Sequence, residues 1–271
     1  MIVEAASASH PGLRRRDNED AVVACIPDDP DVLAGKGALF AVADGLGGHA
    51  AGEVASRAAL DALVGEYYSP RAPHRVEAAM QQAVQAANLR VYALAHGADP
   101  TLHGMQTTLA AVVLAGRHAY VAHAGDSRVY LLRNGEFTQL TADHSEAAEL
   151  LRLRLITPEQ AREHPRRNVL TRTLGHHRLL RPDFARLAVL AGDAFLLCTD
   201  GLWGEVEPAD LRRATQMAPA AACRELVRLA CERGGSDNIT VQVVRVIEAG
   251  AEPQAPRAGR IARLLAGLRG G

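Results

Sequence analysis

Residues 40–53, FAVADGLGGHAAGE, decide how the rest of the chain is read. An apolar run over 38–43 stops on Asp44, passes through Gly45, Gly47 and Gly48, and restarts at Ala51 with the small-residue face of a helix. An aspartate at the mouth of a buried strand is held by rigid backbone while its oxygens face water, which suits a hard divalent cation. The Gly45 carbonyl can reach the same ion. An Asp-Gly dipeptide is also an ordinary turn between strand and helix, and one copy does not separate the two readings.

The arrangement recurs. Residues 107–114, 118–124, 128–133 and 136–141 pattern as strands, and Asn134-Gly135 between the last two is a strong hairpin signal. That leaves Asp126 on the turn Gly125-Asp126-Ser127. Residues 184–190 and 193–199 read as a strand pair turned at Ala191-Gly192, the second ending on Asp200-Gly201. Gly234-Gly235-Ser236-Asp237-Asn238 then leads into the last strand, ITVQVVRVI. If that strand lies antiparallel to 193–199, Asp200 and Asp237 meet at one rim. Four carboxylates at strand ends repel one another unless cations neutralise them. Four independent turn aspartates are the competing reading.

The remaining segments frame this set. Residues 2–10 alternate as a strand closed by Pro11-Gly12, and a short apolar strand occupies 21–26. Between them GLRRRDNED mixes three arginines with acids, as a solvated loop does; a cationic fork beside carboxylates is also how a site grips a phosphate. Residues 51–67 and 76–96 carry apolar positions at helical spacing and read as packing helices, followed by a loop over 98–106. Helical patterns return at 208–214 and 218–233. Residues 141–175 break the β rhythm with two short helical patterns, at 145–155 and 157–163, the latter with Pro158 where a helix begins. Such an insertion is either padding or a lid over a site.

Composition narrows the function classes. An apolar fraction of 48% over 271 residues supports a sizeable core, and 30 basic against 31 acidic residues leave no field that draws the protein to nucleic acid or anionic membrane. Cys25, Cys198, Cys223 and Cys231 form no CxxC pair and read as reduced thiols of a cytoplasmic protein. No run approaches the length of a membrane span, and no secretory leader is evident. A monomer is expected. The catalytic unit is placed at 1–247, followed by a flexible tail over 248–271. Ile261, Leu264, Leu265 and Leu268 share one helical face there, so a docking helix is the alternative.

The ordered set GLRRRDNED, ADGLGGHAAGE, QTTL, GDSRVY, CTDGLW and GGSDNIT resembles the metal-dependent serine/threonine protein phosphatases of type 2C (the PPM family) in their bacterial form, over residues 12–246. The resemblance implies an α+β fold, a four-layer αββα sandwich of two antiparallel β-sheets flanked by paired helices, with a flap insertion at about 141–175. It implies Mn²⁺ or Mg²⁺, two tightly bound and a weaker third. Asp44 would bridge the first two ions. Asp200 and Asp237 would complete the first, and the Gly45 carbonyl and Glu19, through water, the second. Asp126 with Asp200 would hold the third. Arg15 matches the arginine that grips the substrate phosphate, and Asp20 and Asn238 match supporting positions.

The implied activity is hydrolysis of phosphoserine and phosphothreonine on proteins, by in-line attack of a hydroxide bridging two ions, opposing a bacterial serine/threonine kinase. Two rivals are a catalytically silent, phosphate-binding signalling module of the same fold and a hydrolase of small phosphate esters. Loss of the acids or of Arg15 would mark the first, and all are present. The pattern departs at two places. Leu46 follows Asp44-Gly45 where animal members have histidine, and His49 comes after two more glycines. It either protonates the leaving group or braces the loop, a metal-bound water being the other donor. Gln106 stands where related sequences often have glycine, and a change in local packing is expected there.

Overall fold

The computed structural model describes residues 1–47 and 51–250. In chain order the elements are β1 (Ile2–His10), β2 (Asp20–Cys25), α1 (Pro30–Lys36), β3 (Ala38–Leu46), α2 (Ala51–Tyr67), α3 (Val76–Ala95), β4 (Gln106–Thr107), β5 (Leu109–Ala115), β6 (His118–Ala124), β7 (Arg128–Arg133), β8 (Glu136–Gln139), α4 (Glu146–Arg152), α5 (Pro158–Glu163), β9 (Asp183–Ala188), β10 (Ala194–Cys198), α6 (Asp200–Trp203), α7 (Pro208–Thr215), α8 (Pro219–Glu232) and β11 (Ile239–Glu248).

β3 shows why the chain takes four layers. Its run is buried on both faces, and successive side chains point to opposite sides. Phe40 and Val42 pack with Phe195, Leu197, Val129 and Val244 between two sheets. Leu39, Ala41 and Ala43 pack outward against Ala55, Leu63, Ala83 and Val84 of α2 and α3. β10 divides the same way: Leu196 and Cys198 face Leu211, Ala222 and Leu226 of α7 and α8. Small residues on α2 and α3 let the helices lie close to the strands, so the order is helices, sheet, sheet, helices.

One sheet runs β1-β11-β10-β7-β8 and the other β2-β3-β5-β6-β9, with β4 added on β3. The strand pairings among the described residues are antiparallel. Asn134 and Gly135 both adopt left-handed backbone, φ 51° and 81°, as a two-residue hairpin turn demands. β11 is antiparallel to β10, with Cys198 opposite Val241, so Asp200 and Asp237 do come to one rim.

The strand pair read at 184–190 and 193–199 is not a hairpin. β9 pairs with β6 in one sheet, and β10 pairs with β7 and β11 in the other, so Ala191-Gly192 crosses between sheets. Burial explains this. β10 is buried throughout and needs a neighbour on each side, whereas β9 is largely exposed and suits an outer edge. Three local readings also shift: α1 and α6 lie where no helix was read, and β3 continues through Asp44 to Leu46. Within 141–175 the bridge Ser145–Leu170 brings the two ends together, the bridge Thr107–Leu174 ties the second end to β4, and α5 opens with a Thr157/Gln160 capping box.

Candidate metal centre

Asp44 lies within β3, opposite Asp20 across the β2 pairing. Its N–H donates to Thr108 Oγ1 at 2.8 Å, and its C=O accepts from Thr107 Oγ1 at 2.8 Å and from the Thr108 N–H at 2.9 Å. The QTTL motif therefore acts on the backbone that carries Asp44. Thr108 Oγ1 also meets Ser127 Oγ at 2.7 Å, tying β3 to the Asp126 turn. Gly45 admits no side chain: a Cβ there would lie 2.0 Å from the Gly52 carbonyl oxygen, where α2 begins. That close approach brings Glu19 in, since the Gly45 N–H donates to the Glu19 carbonyl and Ser56 Oγ donates to the same oxygen.

Asp200 follows β10, close enough to Asp44 and Asp237 for their charges to bear on one another. Asp237 enters β11 and accepts from Arg15 Nη2 at 2.8 Å. Gly12, at φ +80°, lets the arginine loop lie against this turn, where a Cβ would sit 2.2 Å from the Asp237 carbonyl oxygen. Asn238 stitches the same loop: Oδ1 accepts from the Glu19 N–H, and Nδ2 donates to the carbonyls of Pro11 and Asp17. Asp20 accepts from Thr199 Oγ1 at 2.8 Å through Oδ2, and its Oδ1 is buried without a hydrogen-bond partner among the described residues. Asp126 occupies its turn between β6 and β7, with its C=O accepting from Trp203 Nε1 at 2.9 Å.

The electrostatics follow from this crowding. Burial, then the charge of neighbouring aspartates, raises the Asp44 and Asp126 carboxyls well above the usual range and raises Asp200 too. Burial likewise pushes Asp20 up to about 7, although hydroxyls of Thr240 and Thr199 oppose the shift. Glu19 is raised mainly by burial. With Asp237 turned to Arg15, no three His, Cys, Asp or Glu side chains among the described residues form a ready metal cage. The donor set nevertheless fits a hard cation: clustered carboxylate oxygens, held in place, short of positive charge, with an orphaned oxygen at Asp20.

Of the sequence-derived residues, Arg15, Glu19, Asp20, Asp44, Gly45, Asp126, Asp200, Asp237 and Asn238 all come to this rim. His49 lies outside the described residues, as does most of the tail. Gln106 bonds the 141–175 segment: its Oε1 accepts from Thr173 Oγ1 at 2.6 Å. The threonine hydroxyls and Trp203 escaped the sequence reading as acting residues, although each lies in or beside a quoted motif.

Comparison with known proteins bears out the family that the sequence motifs resemble. Residues 16–239 match the family described as Protein phosphatase 2C. The chain belongs to that family. It is 39% identical over 250 residues to the serine/threonine protein phosphatase PstP of Mycobacterium tuberculosis, 92% of this chain and 46% of that protein. It is 36% identical over 245 residues to the protein phosphatase PhpP of Streptococcus pneumoniae, 89% of this chain and 96% of that protein. The chain thus spans about half the length of the mycobacterial relative. The crystal structure of M. tuberculosis PstP superposes with TM-score 0.81 at 39% identity, covering 91% of this chain and 99% of that one. The PstP catalytic domain in complex with two manganese ions superposes with TM-score 0.78 at 38% identity, covering 91% and 99%.

Proposed function

We propose that this protein hydrolyses phosphoserine and phosphothreonine on proteins, with two Mn²⁺ or Mg²⁺ ions and a weaker third, in opposition to a bacterial serine/threonine kinase. The observation that carries this is the convergence of Asp44, Asp126, Asp200 and Asp237 from four separate segments of the chain on one rim, with Arg15 beside them. The related PstP domain is known with two manganese ions, which supports the same ions here.

The residues then divide the work. Asp44, Asp200 and Asp237 would hold one ion; Asp44, the Gly45 carbonyl and Glu19, through water, the second; Asp126 and Asp200 the third. Such ions supply positive charge that polarises a phosphoryl group and lowers the pKa of water. Arg15 is half exposed and spends one nitrogen on Asp237, so the rest of its fork can grip phosphoryl oxygens. Asn238, Thr107 and Thr108 hold the backbone of Glu19 and Asp44, and Asp20 shares Thr199 with the β10 end. The leaving oxygen takes its proton from His49 or from water.

A protein substrate is favoured over a small ester by the shape beside Asp20 and Arg16. A polar cleft of about 530 Å³, lined by Arg16, Asp17, Asn18, Glu53 and Arg57 among others, opens next to Asp20. It offers charged walls to a chain and no apolar slot for a compact ligand. A silent module is disfavoured because every implied acid and Arg15 is present in the sequence. No helix of the described residues is long and apolar enough to cross a membrane, and we place the protein in the cytoplasm as a monomer. The test is phosphate release from phosphothreonine, phosphotyrosine and small-ester substrates with Mn²⁺ and with chelator. Phosphothreonine turnover that needs the metal is expected; full turnover under exhaustive chelation would sink the proposal.

A further inference from the structure

Asp126 sits on a three-residue turn, Gly125-Asp126-Ser127, between β6 and β7, which belong to different sheets, so no pairing of these two strands with each other holds the turn. Two side chains from elsewhere bond to the backbone of this turn. Trp203, the last residue of α6, donates its indole N–H to the Asp126 carbonyl at 2.9 Å. The indole is in turn covered by the Arg128 guanidinium, 3.5 Å from the ring centroid, and Arg128 is forked onto Asp143, Nε to Oδ1 at 2.9 Å and Nη2 to Oδ2 at 2.6 Å. His144 holds Gly125 from both sides. Its backbone N–H donates to the Gly125 carbonyl at 2.8 Å, and its ring Nδ1 accepts from the Gly125 N–H at 3.2 Å. An accepting Nδ1 places the ring proton on Nε2, 3.1 Å from Asp183 Oδ2.

We propose that Trp203 and His144 are positioning residues for Asp126, Trp203 setting its distance from Asp200 and His144 its orientation; this rests on the reading of Asp126 and Asp200 as ligands of one ion. The geometry supports it in a particular way. α6 runs only from Asp200 to Trp203, so one helical turn carries one proposed ligand at its start and the tether of the other at its end. A rigid link between two carboxylates matters most where an ion is weakly held, because few other ligands can compensate for a shift. Mere packing would account for the Arg128–Trp203 stack, but packing does not require hydrogen bonds aimed at the backbone of the two residues that present the carboxylate.

The test compares Trp203→Phe, His144→Ala and His144→Asn with Asp126→Asn in the full chain. Trp203→Phe keeps a ring for Arg128 and removes the indole N–H; His144→Asn restores an acceptor near the place of Nδ1. Calorimetric Mn²⁺ titration, Mn²⁺ dependence of phosphopeptide turnover and amide exchange at Gly125 are read together. Trp203→Phe and His144→Ala should leave the tight sites intact and raise the Mn²⁺ needed for half-maximal turnover about 5- to 10-fold, the worth of one hydrogen bond. Exchange at the Gly125 amide should rise about tenfold in His144→Ala and return towards the parent rate in His144→Asn. If Asp126→Asn shifts the metal requirement while Trp203→Phe and His144→Ala do not, positioning is refuted and the ligand assignment stands. If Asp126→Asn itself titrates like the parent, the ligand assignment falls and the proposal falls with it. Should His144→Ala fail to fold, Trp203→Phe alone decides the distance half, and an unchanged Mn²⁺ requirement in it overturns the proposal.

Discussion

Arg15 Nη2 lies 2.8 Å from Asp237 Oδ2, so the cation read as a phosphate clamp is held by a carboxylate read as a metal ligand. Metal and substrate would then act on opposite members of one ion pair. Arg15→Ala is expected to lower kcat/KM on phosphopeptides by roughly 10- to 100-fold, the worth of a charge-assisted contact, without weakening tight Mn²⁺ binding. Arg15→Lys should recover part of the loss, since a point charge replaces a fork. Steady-state kinetics beside calorimetry check this. If Arg14→Ala or Arg16→Ala does more damage, the phosphate clamp has been placed on the wrong arginine.

Asp126 and Asp237 should separate cleanly. Asp237→Ala is expected to abolish turnover and remove one tight site. Asp126→Ala should retain two tight sites and a folded protein, with slower phosphopeptide turnover and a higher metal requirement. Metal titration with kinetics on both variants decides, and the reverse pattern would mean that the two carboxylates have been given each other's roles.

Gly45 and Gly65 make a matched pair. A Cβ at Gly45 meets the Gly52 carbonyl oxygen at 2.0 Å, whereas one at Gly65, exposed in α2, meets nothing within 4 Å. Gly45→Ala should cost about 1–3 kcal/mol through forced backbone shifts and impair metal binding with it. Gly65→Ala should stabilise by roughly 0.5–1 kcal/mol, as expected for glycine in a helix interior. Urea titration of both variants in chelator gives the comparison, and a Gly45→Ala protein as stable as the parent contradicts it.

His123 predicts an acid limb. It is buried, its ring 4.7 Å from that of His144, and burial pushes its pKa down to about 3, with the His144 charge adding to the shift. At His123 the folded state thus binds fewer protons than the unfolded state between about pH 3 and pH 6.5, so this group's contribution to stability rises with pH there and is lost as the solution is acidified, opposite in sign to that of the raised carboxyls of Asp20 and Asp44. By pH 5 this one group would withdraw up to ~2 kcal/mol. Replacing it with leucine should make the slope of stability against pH between pH 6.5 and 5 in chelator less positive than in the parent, whatever its effect on absolute stability. A variant whose profile keeps the parent slope over that range removes His123 as the cause.

Much of the chemistry was legible because it is local. Asp44, Asp126, Asp200 and Asp237 each stand where a turn signal meets a buried run, and side-chain alternation, the Asn134-Gly135 hairpin and the proline at α5 all act within a few residues. The antiparallel relation of β10 and β11 could be posed from the sequence only as a condition. The partner of β9 was read wrongly, because a short Ala-Gly turn is compatible either with a hairpin or with a crossing between sheets.

By itself the sequence determined which carboxylates and arginines are available for a metal and a phosphate, and most of the segments that form strands or helices. Tertiary structure alone decided that β9 and β10 join different sheets, that Arg15 rests on Asp237, and that Trp203 and His144 grip the Asp126 turn. The reason is physical. Periodicity reports only which face of an element is buried, whereas strand partners and side-chain tethers depend on burial summed over residues far apart in the chain, as with Trp203 and Asp126, which are 77 positions apart.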